Sequence, residues 1–216
     1  MAAKLLVVMR QMTKQQRARQ VILYIVYITT VCCVQVTFSR SLHFFGKTPD
    51  LMLIFVVLAG YLFGTKDGIA AGVVVGIFRD YFSGPVISGI DKEPVAVLGI
   101  GLLAFFYVGL LSSVLFRKKF RRKFSLGILQ VGMISLMYYS AGHVISWLYL
   151  TLSGNLTEYY SLRYIILDSI LPQVVINLIF AVPLLLLLRF AGPYKKGVRS
   201  SLVDGYSMED RKWQSI

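Results

Sequence analysis

Few side chains in this sequence could do chemistry, and most of those are set in apolar surroundings. Asp50 follows Pro49, Arg79 stands beside Asp80, and Asp168, Gln173 and Asn177 punctuate a hydrophobic run that also holds Pro172 and Pro183. A charge at membrane depth costs about 2.5–3.5 kcal/mol even on the lenient insertion scale, so each of these residues needs a reason. Catalysis is a poor one. No nucleophile lies near a base, no carboxylates are paired, and no His/Cys cluster has metal-ligand spacing. With two histidines and no phosphate-binding loop, we expect no enzyme, no cofactor and no metal.

Structural roles fit better. Asp50 opens an apolar stretch, where a carboxylate caps free amides and meets the positive end of the helix dipole. Asp80 stands at a helix C-terminus, which the dipole disfavours, so a partner such as Arg79 or Arg163 should hold it. Asp80 is the first choice among the charged residues, as a structural or contact group. Gln173 and Asn177 are four apart and share a helix face. They should point inward, either repairing backbone freed by Pro172 or bonding a neighbouring helix, with a polar binding cavity as the rival reading. His143, beside Ser140 and Ser146, reads as a hydrogen-bonded interior residue.

The elements that must position these groups are membrane helices. The chain is 56% hydrophobic and only 15% charged, with a mean hydropathy of +0.69, well outside the range of soluble domains. A crossing takes roughly 20 helical residues. Val21–Ser39, Val95–Phe116, Leu126–Leu152 and Tyr164–Arg189 supply that length. Leu51–Gly64 and Gly68–Phe82 are shorter and form either two thin, tilted spans or a re-entrant hairpin. The expectation is an all-α bundle of six spans with its second and third helices short. It occupies residues 21–191, between a basic leader (1–20) and a polar tail (192–216).

That short pair carries a glycine ladder. Gly68, Gly72 and Gly76 share one face, and Gly60 with Gly64 repeats the spacing on the preceding helix. Small residues let membrane helices approach backbone to backbone. The ladder is either a packing seam between these two helices or a docking face for another membrane protein.

The ordered combination of Pro49-Asp50, a short apolar helix, G-x-x-x-G-x-x-x-G and then Asp80 resembles the MreD family of rod-shape-determining membrane proteins. Leu171-Pro172-Gln173 through Asn177 to Pro183 adds a second match, and the resemblance covers roughly residues 21–191. It implies a non-catalytic component of the bacterial elongation machinery. Such a protein works beside MreC, the RodA polymerase with its class B transpeptidase, and the MreB filament, and helps to place lateral peptidoglycan synthesis. MreD-like chains also share a six-helix plan with the substrate-binding subunits of energy-coupling-factor vitamin transporters. In that alternative, Trp147, Asn155, Tyr159, Tyr160 and Arg163 would line a vitamin pocket. Against it, Val21–Ser39 contains neither Ala nor Gly, so it lacks a small-residue docking stripe.

Charge gives the orientation. Eighteen of the 23 Lys and Arg residues fall on one side of the six-span plan. By the positive-inside rule that side is cytoplasmic, which puts both termini inside a bacterial plasma membrane. The run Arg117, Lys118, Lys119, Arg121, Arg122 and Lys123 would then meet anionic lipid or a cytoplasmic partner. The formal net charge of +13 reflects topology and lipid attraction; nucleic acid is not an expected partner. Leu5–Met9 is too short for a signal peptide, and the leader reads as an interfacial helix. Cys32 and Cys33 diverge on their helix and are poor disulfide partners. Trp147, Tyr149, Tyr159, Tyr160 and Tyr164 would form an interfacial belt.

Overall fold

Leu51–Phe63, apolar on every side and packed by helices all round, is the centre of this bundle. The computed structural model describes residues 14–38, 46–83, 86–88, 93–95, 99–115, 124–152 and 165–193. Among them are six α-helices: α1 (Lys14–Phe38), α2 (Leu51–Phe63), α3 (Thr65–Ser83), α4 (Ile100–Val114), α5 (Phe124–Leu152) and α6 (Leu171–Ala191). A π-helical turn, Ile165–Ile170, leads directly into α6. Met52 through Tyr61 of α2 is buried without a break, because α1, α3, α4, α5 and α6 all pack against it.

Three helical stretches are long and apolar enough to cross a membrane: Ala18–Thr37, Phe124–Ile145 and Ile165–Ala191. The described residues are almost wholly helical, and these three stretches have the length and composition of membrane spans. Six helices match the expected plan, but the short ones are α2 and α4, with 13 and 15 residues, while α3 has 19. Two local causes produce the difference. The turn expected over Gly64–Gly68 contracts to Gly64 alone, whose φ of +105° suits glycine, so α3 starts at Thr65. At the other end, α4 starts at Ile100 instead of Val95, after Gly99 at φ +102°. Val95 belongs instead to a small antiparallel ribbon, β1 (Val86–Ser88) paired with β2 (Glu93–Val95), which pairs Val86 with Val95 and Ser88 with Glu93. The sequence pattern gave no sign of it.

The glycine ladder is an internal seam, but α4 is its main partner. The most extensive helix contact in the bundle runs between α3 and α4. A Cβ on Gly68 would lie 2.7 Å from the Gly109 carbonyl oxygen, and one on Gly76 would lie 2.6 Å from Leu102 Cα. One on Gly72 would run into the Phe105 carbonyl. Gly60 of α2 faces Ser112 of α4, and Gly68 also abuts Gly60 Cα, so the expected α2–α3 contact of the ladder is present at that level. Gly64 is a turn residue and not part of the seam. Backbones this close cannot admit a docked partner on the ladder face.

Candidate functional site

Helix α2 begins inside the bundle, where its first free amides have no water to bond. Side chains from other helices meet them. Asp50, at the N-cap, accepts the Leu53 N–H through Oδ1 at 3.0 Å. The Asp50 N–H donates to Asn177 Oδ1 at 2.9 Å, and the Leu51 N–H donates to Gln35 Oε1 at 2.7 Å. Gln173 Nε2 donates to the Thr48 carbonyl at 2.6 Å, and Asn177 Nδ2 donates to Ser135 Oγ at 3.2 Å. The chain entering α2 is thus fixed by α1, α5 and α6.

The same cluster neutralises a charge. Asp50 Oδ2 accepts from Arg79 Nη1 at 2.7 Å and from the Tyr139 hydroxyl at 3.2 Å. The Asp50 side chain is 8% exposed and that of Arg79 32%. The guanidinium lies 5.1 Å from the Phe105 ring centroid and 5.6 Å from that of Tyr138, a cation–π geometry that strengthens when water is excluded. All six helices contribute a group to this one cluster. Its polar atoms are turned on one another, which is the arrangement of a lock.

Asp80 departs from expectation. Arg79 pairs with Asp50 instead, and Arg163 lies outside the described residues. The Asp80 carboxylate accepts the N–H groups of Gly99 at 2.9 Å, Gly101 at 2.8 Å and Leu102 at 3.1 Å. The unfavourable end of α3 is compensated by the favourable end of α4, whose free amides and positive dipole end it meets. Asp80 therefore caps the neighbouring helix. Asp80→Ala should lower stability by about 2 kcal/mol, the upper end for a lost N-cap, read as a fall in melting temperature in detergent. Asp80→Asn, which keeps an acceptor, should lose less.

Pro172 also behaves differently from expectation. In a regular helix its ring would collide with the carbonyl four residues back, that of Asp168; the wide π turn over Ile165–Ile170 relieves this. Gln173 and Asn177 do not repair that backbone; they reach across to Thr48 and Asp50. His143 is half-buried and shares a 3.0 Å hydrogen bond with Ser169 Oγ of the π turn, the Ser146 side chain lying outside the described residues, and Asp168 is exposed. Pro183 lies inside α6, and none of the cluster's hydrogen bonds involves it. Among the described residues no group of three or more His, Cys, Asp or Glu could hold a metal. The basic run Arg117–Lys123, Asn155, Tyr159, Tyr160 and Tyr164 lie outside the described residues, as does the Tyr149 side chain, while Trp147 is exposed.

Sequence reasoning missed Gln35, Ser135, Tyr138, Tyr139 and Phe105. The signal for two of them was present: Ser135 and Tyr139 are four apart on α5, the same spacing as Gln173 and Asn177 on α6. No protein-family model matches this chain, and neither a curated protein nor a solved structure does.

Proposed function

We propose that this chain is a non-catalytic membrane component of bacterial cell elongation, similar to MreD. In that role it helps position lateral peptidoglycan synthesis through partners of the MreC, RodA–transpeptidase and MreB type. One observation carries the reading. The two separate motifs behind the resemblance, Pro49-Asp50 with the glycine ladder and Gln173 with Asn177, meet in space through the bond from Asp50 N–H to Asn177 Oδ1. Residues 127 positions apart thus serve a single purpose, fixing the central helix. A scaffold needs such a rigid body and needs no reactive group. Its outward surfaces are apolar helix faces, the kind that membrane neighbours or lipid contact. Both termini are placed in the cytoplasm by the distribution of basic residues.

The test is co-purification. The tagged full chain, mildly solubilised from its native membrane, should bring down MreC and the RodA–transpeptidase pair, identified by mass spectrometry. Recovery of a transmembrane coupling subunit with two ATPases would overturn the scaffold role and make the protein a vitamin-binding subunit.

A further inference from the structure

Away from the Asp50 cluster the described residues bury a second group of polar side chains. Ser112, Ser113 and Gln130 are 2%, 8% and 0% exposed. The group lies at the opposite end of α4 from Asp80, where the last carbonyls of the helix run out of helical partners. The Leu111 carbonyl accepts the Leu115 N–H at 3.1 Å, and the Ser112 carbonyl is the next in line. Gln130, near the start of α5, donates to that carbonyl from Nε2. Gln130 thus does for the end of α4 what Asp80 does for its start.

The other half of the Gln130 amide is left over. A carbonyl can only accept, so the nitrogen must be the atom that faces Ser112, and the two ends of the amide cannot be exchanged. Among the described residues no donor meets Gln130 Oε1. A buried acceptor without a bond costs about 1–3 kcal/mol, and buried polar groups meet either protein or ordered water. The nearby hydroxyls do not help. Ser112 Oγ donates to the Gly109 carbonyl at 2.9 Å and Ser113 Oγ to the Leu110 carbonyl at 2.7 Å. Both hydroxyl oxygens keep lone pairs, so the group is rich in acceptors and short of a donor.

We propose that Gln130 Oε1 anchors a buried water site between α4 and α5. The water donates one hydrogen to Oε1 and the other to an oxygen of the Ser112–Ser113 turn, which gives it the two protein contacts that an internal water needs. Nothing larger fits. Gln130 has no exposed surface, Val131 and Ile134 beside it are buried, and a Cβ on Gly60 would already run into the Ser112 hydroxyl. A cation would also seek these oxygens, but it needs about six of them and would carry its charge into apolar surroundings. Water supplies donors without charge. Helix α4 is then held by a carboxylate at its start and by a neutral, hydrated amide at its end. The inference is independent of the role in cell elongation.

The test is a crystal structure of the full chain, grown from a lipid phase, at a resolution that shows ordered water. One density peak should lie about 2.8 Å from Gln130 Oε1 and within hydrogen-bond distance of a Ser112 or Ser113 oxygen. The peak should be lost in Gln130→Met, whose side chain has the same length without the amide; Gln130→Leu takes its place if that variant does not fold. The wild-type map decides the matter alone. An empty map beside Oε1, or a protein donor bonded to it, would overturn the proposal. So would a peak at about 2.4 Å ringed by about six oxygens, which is a cation. Infrared spectra of the full chain in membranes, with carbon-13 in the glutamine side-chain carbonyls, give a second reading. The difference between wild type and Gln130→Met should place the Gln130 carbonyl at the frequency of a hydrogen-bonded amide, and a free-carbonyl frequency would equally rule the water out.

Discussion

Gly72→Leu should leave no folded protein to purify. The new Cβ alone would run into the Phe105 carbonyl and lie 3.5 Å from Phe106 Cα, so the clash is with backbone that no rotamer can move. Adding methylenes to a well-packed interior costs about 1–3 kcal/mol, which is the expected loss for Gly72→Ala. Leucine adds bulk that only separation of α3 from α4 can accommodate, and total stability is only about 5–15 kcal/mol. The loss would spread, because α4 also carries Phe105 beneath Arg79 and the Gly99–Leu102 amides that hold Asp80. The measurement is the yield of monodisperse protein in detergent, with the helical circular dichroism signal beside it. Gly142→Leu is the matched control: nothing lies within 4 Å of a Cβ there, so that variant should purify normally. Gly72→Leu protein that folds normally but loses a co-purifying partner would restore the docking reading of the ladder.

The sequence alone was enough to read the class, the six helices and most of the polar residues that matter, because each stood out against an apolar background. Asp50 as an N-cap follows from its position after Pro49 and before Leu51, a local rule. That the ladder glycines share one helix face follows from spacing, also local; whether that face turns inward or outward does not. What spacing cannot convey is the partner. Gly68, Gly72 and Gly76 could face any helix, and they face α4, whose Gly101 and Gly109 also lie eight residues apart. That complementary pair was visible in the sequence as a second ladder, but its register against the first is a tertiary fact. Asp80 was read through charge pairing, whereas the amides at the start of α4 satisfy it. Backbone donors carry no sequence signature apart from Gly99, which marks where the helix starts. Gln35 was illegible for a similar reason, since a lone amide near the end of an apolar span does not announce which backbone it will meet.

Asp50→Ala is expected to be the most damaging single change outside the seam. It removes the cap on the Leu53 amide, the acceptor of the Tyr139 hydroxyl and the counter-charge of Arg79. Breaking a buried ion pair from one side typically costs about 3–5 kcal/mol, mostly through the charge left behind. Arg79 is only partly exposed, and its guanidinium would remain against two aromatic rings with the Asp50 carboxylate gone. Asp50→Asn separates the contributions, because its amide oxygen can still cap Leu53 while Arg79 loses the Asp50 counter-charge; it should retain the helix start and still lose about 2 kcal/mol or more. Arg79→Ala should be damaging from the other side by stranding Asp50. If charge compensation dominates, the double variant Asp50→Asn/Arg79→Ala should be more stable than the two single losses add up to, by about 1–3 kcal/mol. Thermal or denaturant unfolding in one detergent measures all four corners of that cycle. Strict additivity would mean that capping and packing, and not the ion pair, hold this end of the bundle together. Asp50 would then matter only as the acceptor for α2's first turn.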